Sequence, residues 1–139
     1  MNPPDQAAVR LLEILRASKV FGQLAEPVLL DLAAALNLLS FEGGHQLLKE
    51  GEVADSMIIV ISGRLRVSRQ DQVAGLRLYN EVCPGETVGE TGLLLQQRRF
   101  ADVTAVRDST VAFLYHGAFE QLLQRHPVAL NRVFAQALY

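Results

Sequence analysis

The sequence predicts an α+β, mainly β, domain: an antiparallel β-roll of the double-stranded β-helix (jelly roll) kind, flanked by N-terminal and C-terminal helices. Three observations point there. Apolar residues recur at helical spacing only near the two ends. Between them the apolar runs are short and punctuated by glycine, the pattern of many strands folding on one another. At 139 residues the chain falls within the usual size of one domain and can bury a core. The expected layout is a single domain over 1–139, with helices in 1–39, the roll in 40–115 and helices in 116–139.

Each element has its own warrant. Met1 to Asp5, with Pro3-Pro4, reads as a flexible lead-in. Ala8, Leu11, Leu12 and Leu15 then share one face of a helix, with Glu13, Arg16 and Lys19 on the polar side. After the break at Phe21-Gly22, Leu29, Leu32, Ala33 and Leu36 repeat that spacing, and Pro27 sits near the helix start, where a missing amide hydrogen matters little. From Ser40 the period changes. Met57 to Ile61 is a continuous, β-branched-rich run, expected to be covered on both faces. Leu65 and Val67 alternate with Arg64, Arg66 and Ser68, one side buried and one solvated. Gln70 to Gly75 turns the chain, and Leu76, Leu78 and Val82 alternate against Arg77, Tyr79 and Glu81 on the return. Beyond residue 100, Ala101, Val103 and Ala105 alternate with Asp102 and Thr104. Arg107 to Ser109 turns the chain into a last strand, Val111 to Tyr115. Phe119, Leu122 and Leu123 mark one C-terminal helix, and Pro127 restarts another through Leu130, Val133, Phe134 and Ala137. That apolar face is still running at Tyr139, which suggests a domain cut from a longer protein.

Composition narrows the function. Half of the residues are hydrophobic and a fifth are charged, as in ordinary soluble domains. A net charge of −2 argues against a nucleic-acid surface. The single cysteine, Cys83, cannot close an internal disulfide, which fits a reducing compartment. No apolar stretch is long enough to span a bilayer, and no signal peptide opens the chain, so the expected location is cytoplasmic. His45, His116 and His126 form no spaced pair with each other or with Cys83, so no metal site is expected. Ser62 and Ser109-Thr110 lack a nucleophile-elbow pattern, and no catalytic residue is assigned.

The most informative stretch is Pro84 to Val103. Gly89 and Gly92 leave room for close approach to the backbone. A short helix from Glu90 to Leu95 would offer unpaired amides to an anion, and Arg99 would add a planar fork of donors. Glu90 fits such a site only by accepting from hydroxyls beside the anion, as on a ribose. The residues alone admit a second reading: a turn, a short solvated helix and the charged start of a strand.

Gly89-Glu90-Thr91-Gly92-Leu93-Leu94, followed by Arg99-Phe100-Ala101, closely resembles the phosphate-binding cassette of the cyclic-nucleotide-binding domain family, here spanning 85–101. Phe21 to Leu39 resembles that family's N-terminal helices. Gly51-Glu52 and Asp55-Ser56-Met57, ahead of Ile58 to Gly63, resemble its second and third strands. Asp108 to Leu123 resembles its last strand and first C-terminal helix. The resemblance implies that Arg99 pairs with the cyclic phosphate of cAMP or cGMP and that Glu90 accepts from the ribose 2′-hydroxyl. It also implies that backbone amides around Gly92, Leu93 and Ala101 complete the phosphate shell. Thr91 and Phe100 fall within the same ligand-binding set, and Leu65, Val67 and Val103 are candidates for the apolar wall.

Binding in this family draws the C-terminal helices over the pocket, which an attached or associated effector reads; a homodimer through those helices is one arrangement. No cofactor and no direct nucleic-acid contact are implied. Val103 to Leu114, with Arg107-Asp108-Ser109-Thr110-Val111, is similar to the regulatory domains ahead of patatin-like esterases of the neuropathy-target-esterase type. That makes such an esterase or phospholipase the expected effector.

Two positions depart from the family pattern. Val88 stands where an aromatic is usual. Phe100 stands where the family has a small residue whose hydroxyl often assists guanine recognition, which leans the expected ligand toward cAMP. The phenyl ring there has three alternatives: to narrow the pocket, to stack on a base, or to point outward. Other readings of the chain are a sensor of the catabolite-activator type, a degenerate domain that no longer binds nucleotide, and a cupin-like metalloenzyme. The last needs clustered His and carboxylate ligands, and the sequence has no His-x-His pair.

Overall fold

The computed structural model describes residues 3–137, with side chains from 8 to 136. Its elements in chain order are α1 (Pro3–Ala17), a 3-10 turn (Phe21–Gln23), α2 (Glu26–Ala35), β1 (Asn37–Phe41), β2 (Gln46–Leu48), β3 (Ser56–Ser62), β4 (Leu65–Asp71) and β5 (Gly75–Val82). They continue with β6 (Thr87–Val88), α3 (Glu90–Leu95), β7 (Asp102–Ala105), β8 (Ser109–Tyr115), α4 (His116–Arg125) and α5 (Pro127–Ala137). Two four-stranded sheets, ordered β1-β8-β3-β6 and β2-β7-β4-β5, form the expected antiparallel roll.

The strand β3 divides the interior because period-2 alternation sends its residues to two different cores. Met57, Ile59 and Ile61 point to the helices, where they join Leu11, Leu15, Leu32, Leu114, Leu130 and Phe134. Ile58 and Val60 point between the sheets, toward Leu65, Val67, Val103, Val111 and Phe113. Each such side chain contributes about 1.5–3 kcal/mol by leaving water. The unbroken apolar run was legible as a strand covered on both sides for this reason.

Several expectations shift. Met1 and Asn2 lie outside the described residues, and Pro3 to Asp5, expected as part of a flexible lead-in, belong to α1. The first strand opens at Asn37, inside the span assigned to helices, because Leu36 already has an extended backbone and ends α2. Among the described side chains of α1, Leu11 and Leu15 are buried, while Ala8 is exposed. On β5 the alternation does not translate into a buried face. Its register against β4 slips at Val67/Ser68, and Leu76 and Leu78 stay exposed on a strand at the sheet's edge. Arg64 and Arg66 are not simply solvated, since both reach Glu81, at 2.9 and 3.3 Å. The Arg66 guanidinium, and then that of Arg64, holds the Glu81 carboxyl below its ordinary value.

The two faces of the roll predict different tolerance. Leu114→Ala, in the helix-side core, is expected to lower the unfolding free energy by about 2–5 kcal/mol. Leu76→Ala is expected to change it by no more than about 0.5 kcal/mol. Urea denaturation of both variants checks the pair, and a similar loss in each would mean that β5 is covered after all.

Candidate functional site

The cassette is held in place by backbone pairing before any side chain acts. The Glu52 carbonyl accepts from the Arg99 amide at 2.7 Å, the Arg99 carbonyl accepts from the Gly51 amide at 2.9 Å, and the Ala54 amide donates to the Gln97 carbonyl at 3.1 Å. This short ladder turns Arg98 outward, where its Nη1 donates to the Gly51 carbonyl, and Arg99 inward.

Arg99 is the centre of the site. Its Nη2 donates to the Ser56 carbonyl at 2.9 Å and to the Ser56 hydroxyl at 3.0 Å. Ser56 opens β3 and is only 2% exposed, so these bonds form where competing water is scarce. Burial lowers the Arg99 guanidinium from its ordinary value, and the Asp55 and Glu52 carboxylates offset part of that. It remains a cation at any physiological pH. No acceptor among the described residues engages its Nη1 or Nε, and Nη1 packs against Gly89 and Gly92.

Around it lies a cavity of about 320 Å³, walled by Val67, Val88, Val103 and Ala101, with Gly89, Thr91 and Gly92 on the α3 side and Phe100 at the rim. Val67 and Val103 take the wall positions expected of them. Leu65 packs in the same core between the sheets without lining the cavity.

The two cassette glycines serve a purpose that the sequence reading missed. Gly89 caps α3 with φ at +89°, and a Cβ there would come within 2.6 Å of Arg99 Nη1 and 3.2 Å of the Ser56 carbonyl. A Cβ on Gly92 would lie 2.3 Å from the Ala54 Cβ and 3.2 Å from Arg99 Nη1. The space expected for a ligand at the backbone is taken by the protein's own guanidinium and by Ala54.

Two further residues differ from expectation. Glu90 does not share the Arg99 cavity. Its carboxylate accepts from the Thr87 hydroxyl and lines a separate cavity of about 740 Å³ under α1, beside Arg10, Ile14 and Lys19. The reason is local: Glu90 is the first residue of α3, and Thr87 lies three positions earlier on the adjoining strand. Leu93 is fully buried in the helix-side core, and its amide donates to the Gly89 carbonyl, which removes it from the free amides. Its carbonyl accepts from His116 Nδ1 at 3.0 Å, and His116 Nε2 reaches Glu120 at 2.9 Å. His116 thereby ties α3 to the first turn of α4. Both of its partners are acceptors, so a neutral ring can donate to only one of them at a time.

Ser56 had a faint signal in the sequence, as a polar residue opening an apolar strand. His116 had none, since its partners become neighbours only through the fold. Among the described residues, no three or more His, Cys, Asp or Glu side chains cluster as metal ligands, and no helix is long and apolar enough to cross a membrane.

Residues 38–126, most of the roll and the first C-terminal helix, match the family model of the cyclic nucleotide-binding domain. The chain belongs to that family. As a cyclic nucleotide-binding domain it is similar to Lysophospholipase NTE1 of Mycosarcoma maydis, 29% identical over 141 residues, covering 96% of this chain and 7% of that protein. It is also similar to Patatin-like phospholipase domain-containing protein 7 of Rattus norvegicus, 38% identical over 100 residues, covering 71% of this chain and 7% of that protein. The domain thus spans about 7% of the length of these curated relatives. Among solved structures it resembles the regulatory domain of Toxoplasma gondii PKA in co-crystals with cAMP, with a TM-score of 0.76, 29% identity, and 88% of this chain and 46% of that one covered. This cyclic nucleotide-binding domain is homologous to a segment of these phospholipases and to that PKA regulatory domain, and it shares its antiparallel roll with flanking helices with the latter.

The packing around Arg99 makes a prediction independent of any ligand. Gly92→Ala is expected to destabilise the domain by about 1–3 kcal/mol, as overpacking does, because both close neighbours are fixed. A thermal melt of the variant matching that of the wild type would show that α3 can lift away without loss.

Proposed function

We propose that this domain binds a cyclic nucleotide in the Arg99 cavity and passes its occupancy to a patatin-like lysophospholipase effector on the same polypeptide, in the cytosol. The observation that carries the reading is the Arg99 guanidinium itself: a partly buried cation anchored through one nitrogen by Ser56 at an apolar cavity, with no acceptor among the described residues on its remaining donors. A cyclic phosphate supplies the charge and paired oxygens that such a fork takes, and the Val67 and Val103 wall suits a sugar and base. The effector half of the reading is supported by the relatives, which are phospholipases many times longer than this chain.

In this reading Glu90 takes the ribose 2′-hydroxyl only after its carboxylate leaves Thr87 and turns from the α1 side. Passing the signal on requires the ligand to favour one arrangement of α3 and α4 over another by a differential free energy. The Leu93 to His116 contact lies on that route.

A second reading, a degenerate domain kept as a scaffold, is favoured by that same position of Glu90 away from Arg99. Calorimetric titration with cAMP and cGMP separates the two. Binding is expected, and Arg99→Ala is expected to weaken it by about 1.5–3 kcal/mol, the range for a hydrogen bond to a charged group, or roughly ten- to a hundredfold in affinity. Arg99→Lys keeps the charge without the fork and should fall between. Equal affinity in a folded Arg99→Ala variant would remove Arg99 from the ligand, and no binding by the wild type would leave the scaffold reading.

A further inference from the structure

Phe100 is 58% exposed, a large aromatic left in water at the rim of the Arg99 cavity. An exposed ring is ordinary by itself, but this one is held. Tyr79 on β5 meets it at a centroid distance of 4.9 Å and an interplanar angle of 65°. The Arg69 guanidinium carbon on β4 lies 5.4 Å over the ring centroid. Arg69 is fixed in turn, since its Nε donates to the Glu50 carboxylate at 2.9 Å, and the Glu50 amide donates to Asp102 at 2.7 Å. The slip in the β4–β5 register at Val67/Ser68 leaves Tyr79 unpaired between Leu78 and Asn80, which brings it to this place. Side chains from two strands and the loop after β2 thus brace a ring that still keeps open surface toward the cavity.

A braced, partly exposed aromatic beside a phosphate-type site suits a flat π-system, because it loses little freedom when covered. We propose that Phe100 is the platform on which the base of the bound nucleotide stacks, with Tyr79 and Arg69 as the residues that position it, so that the site prefers purine over pyrimidine cyclic nucleotides. This rests on the reading of the Arg99 cavity as a cyclic-nucleotide site and adds the part of the ligand that Arg99 does not touch. Phe100 has no hydrogen-bonding group, so it reads the base by the area of its face, which is larger in a purine.

The test is calorimetry on the intact domain with cAMP and with cyclic CMP, in the wild type and in Phe100→Ala, Phe100→Trp and Tyr79→Ala. cAMP is expected to bind the wild type more tightly than cyclic CMP. Phe100→Ala should weaken cAMP about five- to a hundredfold, the range seen when a base-stacking aromatic is truncated, and should shrink the ratio between the two ligands. Phe100→Trp should restore both, and Tyr79→Ala should lie between. A merely structural role would lower both affinities together and leave their ratio alone. Unchanged or tighter cAMP binding in Phe100→Ala, or an unchanged ratio, overturns the platform and leaves the nucleotide site standing. Absence of any binding by the wild type overturns the nucleotide reading, and the platform with it.

Discussion

The site depends on one constraint: a guanidinium taken partly out of water and satisfied by the backbone and hydroxyl of a buried serine. Removing a charge from water is costly unless it is paired or hydrogen-bonded. The Ser56 contacts, with the Asp55 and Glu52 carboxylates nearby, offset that cost for Arg99. Other features of the cassette answer to it. Gly89 takes a left-handed backbone and Gly92 packs on Ala54 because anything larger would strike the guanidinium or its neighbours. The ladder between Gly51–Ala54 and Gln97–Arg99 fixes which of two adjacent arginines turns inward. The cavity is therefore built around a cation already in place.

Much of the fold was legible because it follows from periodicity. The change from helical spacing to short punctuated runs separated ends from middle, and the β-branched run at Met57 to Ile61 marked the strand shared by both cores. What the pattern could not carry was the slip on β5. Alternation predicts a buried face only while the register holds, and one extra residue at Tyr79 left Leu76 and Leu78 exposed. The start of β1 was hidden for a related reason, since Leu36 fits both the end of an apolar helix face and the approach to a strand.

The site was legible by residue type more than by direction. The cavity does contain Gly89, Thr91, Gly92, Arg99, Phe100 and Ala101. Glu90 and Leu93 belong to the same motif, yet the first turns toward α1 and the second into the helix-side core. Glu90 and Leu93 stand three residues apart and share the face of α3 turned toward α1 and the helix-side core, while Thr91 and Gly92 stand on the face turned toward the cavity. Motif spacing identifies such residues without saying where they point. Ser56 and His116 depend on contacts between distant segments and could be found only from the folded chain.

The bond between Leu93 and His116 has a mechanical consequence. Its donor begins α4 and its acceptor lies within α3, one residue beyond the Gly92 that packs on the guanidinium, so the two helices are tied directly to each other. A hydrogen bond tolerates only a few tenths of an ångström of stretch before it weakens. Any tilt of α3 beyond that slack must either haul the start of α4 along or let it go. At its far end α4 is moored separately, where His126 meets Asp31 of α2 at 2.8 Å. The helix is thus a beam moored at both ends, and at the inner end the His116 amide also donates to the Asp55 carbonyl at 2.8 Å, so parting from α3 still leaves α4 fastened to the segment ahead of β3.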